Sequence, residues 1–144
     1  MAATAFVLYN EAKKYIGGAD LDLNGATFKL KLCNSASNAE TLTLSTFASV
    51  TSEISATGGY AANGKALASV TWTTYGSAKQ FSFDAADLVF TASGASLNNI
   101  KYAVIGVSGG KALCWSKLTT SQFTLSANNT LTIAFNAAGI FTLV

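Results

Sequence analysis

Arginine, histidine and proline are missing from the 144 residues of this chain. Without arginine there is no guanidinium fork for phosphates or base edges. The nine basic residues are all lysines and lie scattered, so nucleic-acid binding is not expected. Without histidine the chain lacks the usual general base and the commonest metal ligand. Charge is scarce as well: 11% of residues are charged, with a net charge of +2, against roughly 25% in a typical soluble domain. With a mean hydropathy of +0.36, the surface must be built largely from Ser, Thr, Asn, Gly and Ala. Such a surface suits a protein lodged against other proteins. Nothing at the N-terminus places a basic stretch ahead of an apolar one, as a secretory signal would. No apolar run approaches the ~18 residues of a membrane span. The expectation is a chain made in the cytosol, soluble or assembled, with no membrane partner. The two cysteines, Cys33 and Cys114, fall on different expected strands. Two buried thiols are expected there, and a disulfide between them stays open.

What the chain does have is short segments of period two. A length of 144 residues suits one domain spanning the whole chain, able to bury roughly 68–70% of the surface it exposes when unfolded. The organising stretch is residues 100–118, read as a β-hairpin. Its first arm, Ile100-Lys101-Tyr102-Ala103-Val104-Ile105-Gly106-Val107, is apolar at both parities, so both faces should be covered, as in a central strand. Ser108-Gly109-Gly110 supplies the tight loop, and Lys111 to Leu118 returns.

Residues 4–18 carry the one helical pattern, with Phe6, Tyr9, Ala12/Lys13 and Ile16 at helical spacing and Gly17-Gly18 as its stop. A strand over residues 5–9 competes with it. Asp20-Leu21-Asp22-Leu23 alternates into the hairpin signal Asn24-Gly25. Residues 27–32 then alternate with Phe28, Leu30 and Leu32 inward and Lys29 and Lys31 outward, as in a half-buried antiparallel strand. Residues 34–56 are the least regular, with a short strand at Leu42 and Leu44 and a helical turn carrying Phe47, Val50 and Ile54. Residues 65–74 read as one strand with Ala66, Ala68, Val70 and Trp72 on one face, broken at Gly76-Ser77. Short strands follow at Phe81-Ser82-Phe83, Leu88-Val89-Phe90, residues 122–125 and residues 130–135. A docked apolar end spans Ile140 to Val144. Frequent turns between short strands predict an all-β fold, an antiparallel β-sandwich of jelly-roll type with one short N-terminal helix.

The apparent chemical motifs each reduce to something plainer. Residues 59–66 nearly match a phosphate-binding loop, but Ala66 offers no hydroxyl to Mg²⁺ and the segment runs into a strand. Asp20 to Gly25 copies the first half of a calcium loop, whose twelfth position is here Lys31 instead of glutamate. Asp84 and Asp87 form a potential carboxylate pair with nothing nearby to separate their pKa values, so a turn is expected. Serine, threonine and both cysteines lack a histidine to activate them. Asn128-Asn129-Thr130 fits a glycosylation pattern and is read as a hairpin turn. Trp72, Trp115, Tyr60, Tyr75 and Tyr102 would make a sugar-stacking face, although on a β-sandwich aromatics belong more often to the core. No catalytic residue, cofactor or metal is therefore expected.

Several segments taken together resemble the small capsid decoration, or cement, proteins of tailed bacteriophages. They are Leu8-Tyr9-Asn10-Glu11-Ala12-Lys13-Lys14 leading to Asp20-Leu21-Asp22-Leu23 and Thr27-Phe28-Lys29-Leu30; Thr57-Gly58-Gly59-Tyr60 with Gly64-Lys65-Ala66-Leu67; and Phe83-Asp84-Ala85-Ala86-Asp87-Leu88-Val89-Phe90. Lys101-Tyr102-Ala103-Val104-Ile105 and Phe135-Asn136-Ala137-Ala138-Gly139-Ile140-Phe141-Thr142-Leu143 complete the set. The likeness covers most of the chain and is weakest over residues 34–56. It implies a non-enzymatic virion protein with a β-sandwich or jelly-roll fold. Such a protein would bind the outer surface of the major capsid protein in an HK97-like shell, stabilise it, and act as a homo-oligomer, most simply a dimer. No capsid-contact residue is assigned by it. The rival expectation is a glycan- or receptor-binding β-sandwich from a head fibre or tail, which an exposed Trp72 or Trp115 would favour.

Overall fold

The structure is a computed structural model and describes residues 5–76 and 80–143. The chain runs through β1 (Val7–Leu8), α1 (Asn10–Gly17), β2 (Phe28–Cys33), a 3-10 turn (Phe47–Ser49), β3 (Lys65–Ala66) and β4 (Thr71–Thr74). It continues through β5 (Phe81–Asp84), β6 (Leu88–Thr91), β7 (Leu97–Ile100) and β8 (Tyr102–Val107). The last strands are β9 (Ala112–Lys117), β10 (Phe123–Leu125), β11 (Thr130–Ile133) and β12 (Phe141–Leu143). Every ladder is antiparallel. Pairing nests outward from the β8–β9 hairpin: β7 with β10, β6 with β11, β5 with β12. The second half of the chain is thus one long hairpin folded over on itself, the pairing scheme of a jelly roll. The first half adds β2 beside β8, β1 beside β9, β3 beside β2 and β4 beside β5, giving a five-stranded sheet of order β1-β9-β8-β2-β3 and a three-stranded one of order β12-β5-β4. The fold is an all-β sandwich with one short helix.

The β8–β9 hairpin is central, as its composition requires. Tyr102 to Gly106 are all buried, because β8 lies between β2 and β9 and both faces of the sheet are covered. Its first arm starts later than the apolar run suggests. Ile100 ends β7, which pairs with β10 instead, and Asn99 with φ 63° lies within β7 where that ladder shifts register.

On one face of the five-stranded sheet, Phe28, Leu30, Leu32, Ile105 and Cys114 are fully buried against the jelly-roll strands. The Phe28 ring meets Phe83 edge-on at 5.0 Å, and Phe83 stacks on Phe141 at 5.2 Å. The opposite face corrects the expected lysine-studded surface. Residues 34–56 fold across it, and Lys31 is only 3% exposed. Its ammonium donates to the Phe47 carbonyl at 3.1 Å and lies 4.1 Å from the centre of the Phe47 ring. Phe47, Val50 and Ile54 bury as their spacing suggested, but on a 3-10 turn and extended backbone, and Leu42 and Leu44 form no strand. Lys29 is half-buried.

Three further expectations change. The helix begins at Asn10 because Val7 and Leu8 pair with Trp115 and Cys114 at the sheet edge, so each of the two competing readings holds for part of the segment. Phe6 leaves the helical stripe and packs on Phe135 at 5.7 Å. Residues 20–25 make no strand: the Asp22 carboxylate accepts the Asn24 N–H at 2.9 Å in a local turn, while Leu21 and Leu23 still bury. The expected strand over residues 65–74 divides in two, β3 in one sheet and β4 in another, at Ser69 with φ 53°. The parts of those readings that fall on Thr4, Ser77 and Val144 lie outside the described residues.

Candidate interaction surface

Most of the residues singled out for chemistry sit in structural roles. The glycine-rich segment 59–66 enters β3, not a helix, and the Lys65 ammonium donates to the Val89 carbonyl at 2.7 Å. It borders a recess of ≈ 440 Å³ with Tyr60, Val89, Phe90 and Leu97. No helix N-terminus faces that recess from this segment, so the phosphate geometry is missing. Asp87 accepts the Phe135 N–H at 2.9 Å, whereas Asp84 lies in β5 with one carboxylate oxygen buried and unpartnered. Asn128, with φ 68°, turns the chain between β10 and β11; these strands belong to different ladders, so the turn closes no hairpin. Among the described residues no three of His, Cys, Asp and Glu gather as a metal set.

Cys33 and Cys114 are free and buried. Cys33 is opposite Tyr102 on β8 and Cys114 opposite Ile105. They therefore project to opposite faces of the sheet with β8 between them, beyond the ~7 Å that a disulfide spans. Burial pushes the Cys33 thiol up to about 12 and the Cys114 thiol well above the ordinary thiol range. Both stay protonated at neutral pH, the unreactive form.

Two of the five singled-out aromatics are anchors. Tyr60 donates to Glu53 at 2.6 Å and accepts the Leu32 N–H at 3.0 Å. Burial, and then the Glu53 hydrogen bond, raise its hydroxyl above the usual tyrosine range. Tyr102 donates to Glu40 at 2.7 Å, and burial followed by Glu40 pushes it up to about 12. Glu40 itself is held below the usual carboxylate range, first by Lys117 at 2.9 Å and then by Tyr102. Trp115 is half-buried, edge-on to Tyr102 at 6.3 Å.

Trp72 departs from the core role its parity suggested. Facing residues in the three-stranded sheet are Trp72, Phe83 and Phe141, and two residues along each strand Thr74, Phe81 and Leu143 share their side. Phe83 is fully buried, but the sheet runs past the core. Phe81 is 43% exposed, Leu143 and Trp72 are half-buried, and Tyr75 just beyond β4 is 41% exposed. The Trp72 and Phe81 rings stack at 5.6 Å and 27°. No motif in the sequence marks partner contacts. The available signal was the run Thr71-Trp72-Thr73-Thr74, a β-forming stretch without a charge. Beside β12, a groove of ≈ 520 Å³ is lined by Phe6, Leu131, Ile133, Phe135, Ile140 and Phe141. The exposed chemistry is apolar and hydroxyl-rich, suited to docking.

No helix among the described residues is long and apolar enough to cross a membrane. Compared with known protein families, curated proteins and solved structures, the chain matches none of them.

Proposed function

We propose that this chain is a structural protein of a tailed-phage virion, a decoration protein that binds the outer surface of the major capsid protein in an HK97-like shell without catalysing a reaction. The observation that supports this reading is how the resembling segments meet. The stretches Phe83-Asp84-Ala85-Ala86-Asp87 and Phe135-Asn136-Ala137-Ala138-Gly139-Ile140-Phe141 are far apart in sequence but form one joint. Asp87 takes the Phe135 N–H, the Phe83 carbonyl takes the Ile140 N–H at 2.8 Å, and the Phe83 and Phe141 rings stack. Their order and spacing are what the outermost ladder of the nested hairpin needs, so the stretches that carry the resemblance are also the ones that close this fold. A weakly charged, hydroxyl-rich surface carrying an apolar overhang fits a protein that works by adhering.

Such a protein stabilises a shell by binding the assembled lattice more tightly than its separated subunits, and oligomeric copies that bridge neighbours gain through effective concentration. The test is copy number in purified source virions, by quantitative mass spectrometry against the major capsid protein. A ratio near one, or a simple fraction of it, is expected. A few copies per particle, or none, would overturn the proposal.

The stacked, half-exposed Trp72–Phe81 pair favours a second reading, a glycan- or receptor-binding module of a head fibre or tail, since sugars stack on such faces. Saturable quenching of Trp72 fluorescence by a host-surface glycan, abolished in Trp72→Ala, would move the assignment there.

A further inference from the structure

Each exposed strand edge is a row of unpaired N–H and C=O groups, and a soluble chain blunts its edges by shortness, lysine or cover. Some edges here follow that rule. β1 and β3 are two residues long, and β3 carries Lys65. The Lys65 ammonium also caps the Val89 carbonyl on β6. The edge strand β4 does not follow it. Its four residues, Thr71-Trp72-Thr73-Thr74, pair only with β5 among the described strands. Thr71, Thr73 and Thr74 are exposed and Trp72 half-buried, and the segment has no charge, proline or bulge. Threonine and tryptophan are strand-forming residues, so this edge is a ready template for another strand.

We infer that β4 pairs antiparallel with β4 of a second copy, joining two three-stranded sheets into one six-stranded sheet across a two-fold axis. A second copy fits on three counts. A two-fold perpendicular to the sheet brings a strand against itself in antiparallel register, so the same edge serves both subunits. Charge decides next: an isologous contact sets each charge near the axis against its own copy, and among the described residues β4 brings none, the one charge on its partner strand, Asp84, sitting a strand further back opposite Thr71. The third count is the apolar overhang. The perpendicular axis keeps both Trp72–Phe81 stacks on one side of the joined sheet, so the side chains left half-exposed in one chain run on across the seam. Cross-strand threonine and aromatic pairs are favourable neighbours in such a ladder.

This inference rests on the oligomeric part of the proposed function and names its surface. The experiment is sedimentation equilibrium of the full chain over a wide range of concentrations. It is run on wild type, on Thr73→Lys and Thr71→Lys at the β4 edge, and on Thr142→Lys on β12, with far-UV circular dichroism to confirm folding. The wild type and Thr142→Lys are expected to be dimers. The two β4 lysines, each carried by both copies close to the axis, are expected to weaken the dimer by at least about tenfold, or ~1.4 kcal/mol. Using two exposed positions guards against one variant failing to fold. A wild type that stays monomeric, β4 variants that dimerise like wild type, or dissociation by Thr142→Lys would each overturn the inference. A monomer found at high copy in virions would remove the β4 dimer and leave the decoration reading standing. A β4 dimer missing from virions would do the reverse.

Discussion

Lys31 shows how one residue reports on a whole covering segment. Its alternation with Leu30 and Leu32 is that of a solvent-facing lysine, yet it is 3% exposed beneath residues 34–56. The arrangement is tolerable because the charged end finds a carbonyl and a ring face while the four-carbon stem packs as a hydrophobe. Stem packing should then dominate its contribution. Lys31→Ala is expected to cost about 2–3 kcal/mol by chemical denaturation and Lys31→Met less than about 1.5, since methionine refills the stem and forfeits only the ammonium's hydrogen bond and ring contact. Equal losses in the two variants would show that the ammonium's contacts carry the effect. No pattern within β2 announces this burial. It follows from an irregular segment of 23 residues whose path is held by contacts far away in sequence, such as the Tyr9 hydroxyl on the Ala39 carbonyl at 2.7 Å and the Ile54 N–H on the Leu32 carbonyl at 3.0 Å.

At the scale of elements, period two located strands well and located their partners poorly. β2, β5, β6, β8, β9 and β11 lie where alternation or apolar runs put them. Residues 65–74 read as one strand because Ala66 to Trp72 keep their parity, and nothing in that stretch is a helix or strand breaker of the glycine or proline kind. The break comes from tertiary bonds just ahead of Ser69, with the Leu67 N–H on the Phe28 carbonyl and the Ala86 N–H on the Ala68 carbonyl, both at 2.9 Å. Trp72 is carried to an edge by that break, which is why parity alone misplaced it in the core. The closing ladder β5–β12 depends on a different local feature. Gly139 has φ 102°, and a Cβ there would collide with the Ser82 hydroxyl and lie 2.8 Å from the Phe83 carbonyl. Gly139→Ala is expected to lose about 2–3 kcal/mol and to release β12, read as faster amide exchange at Phe141 to Leu143 than elsewhere in the core. Uniform exchange across the molecule would mean that β12 does not open separately.

Across the whole molecule, the absence of histidine moves the pH response away from neutrality and toward the alkaline side. The groups most altered by folding are acids kept neutral by burial: the thiols of Cys33 and Cys114 and the hydroxyls of Tyr9, Tyr60 and Tyr102. Each holds its proton in the fold beyond the pH at which the unfolded chain gives it up. Their stabilisation is complete below the unfolded values, near 8.5 for thiols and 10 for tyrosines, and declines as pH rises toward the folded ones. For Cys33, pushed up to about 12, the window runs from about pH 8.5 to 12. Linkage puts the loss at about 2 kcal/mol per buried thiol by pH 10. On the acid side Glu40 acts with the opposite sign, its pKa lowered, so what it contributes is lost as pH falls through the carboxylate range. The Glu40–Lys117 pair lies largely in solvent, and the acid-side loss from it is expected to be small. Stability measured by denaturant titration should therefore be nearly flat from about pH 6 to 8 and fall steeply above 9. A Cys33→Ala, Cys114→Ala double variant starts lower because of its cavities, but its slope between about pH 8.5 and 10 should be nearly removed, leaving the tyrosine-driven decline above 10. An unchanged slope in that variant would assign the alkaline loss to groups other than the two buried thiols.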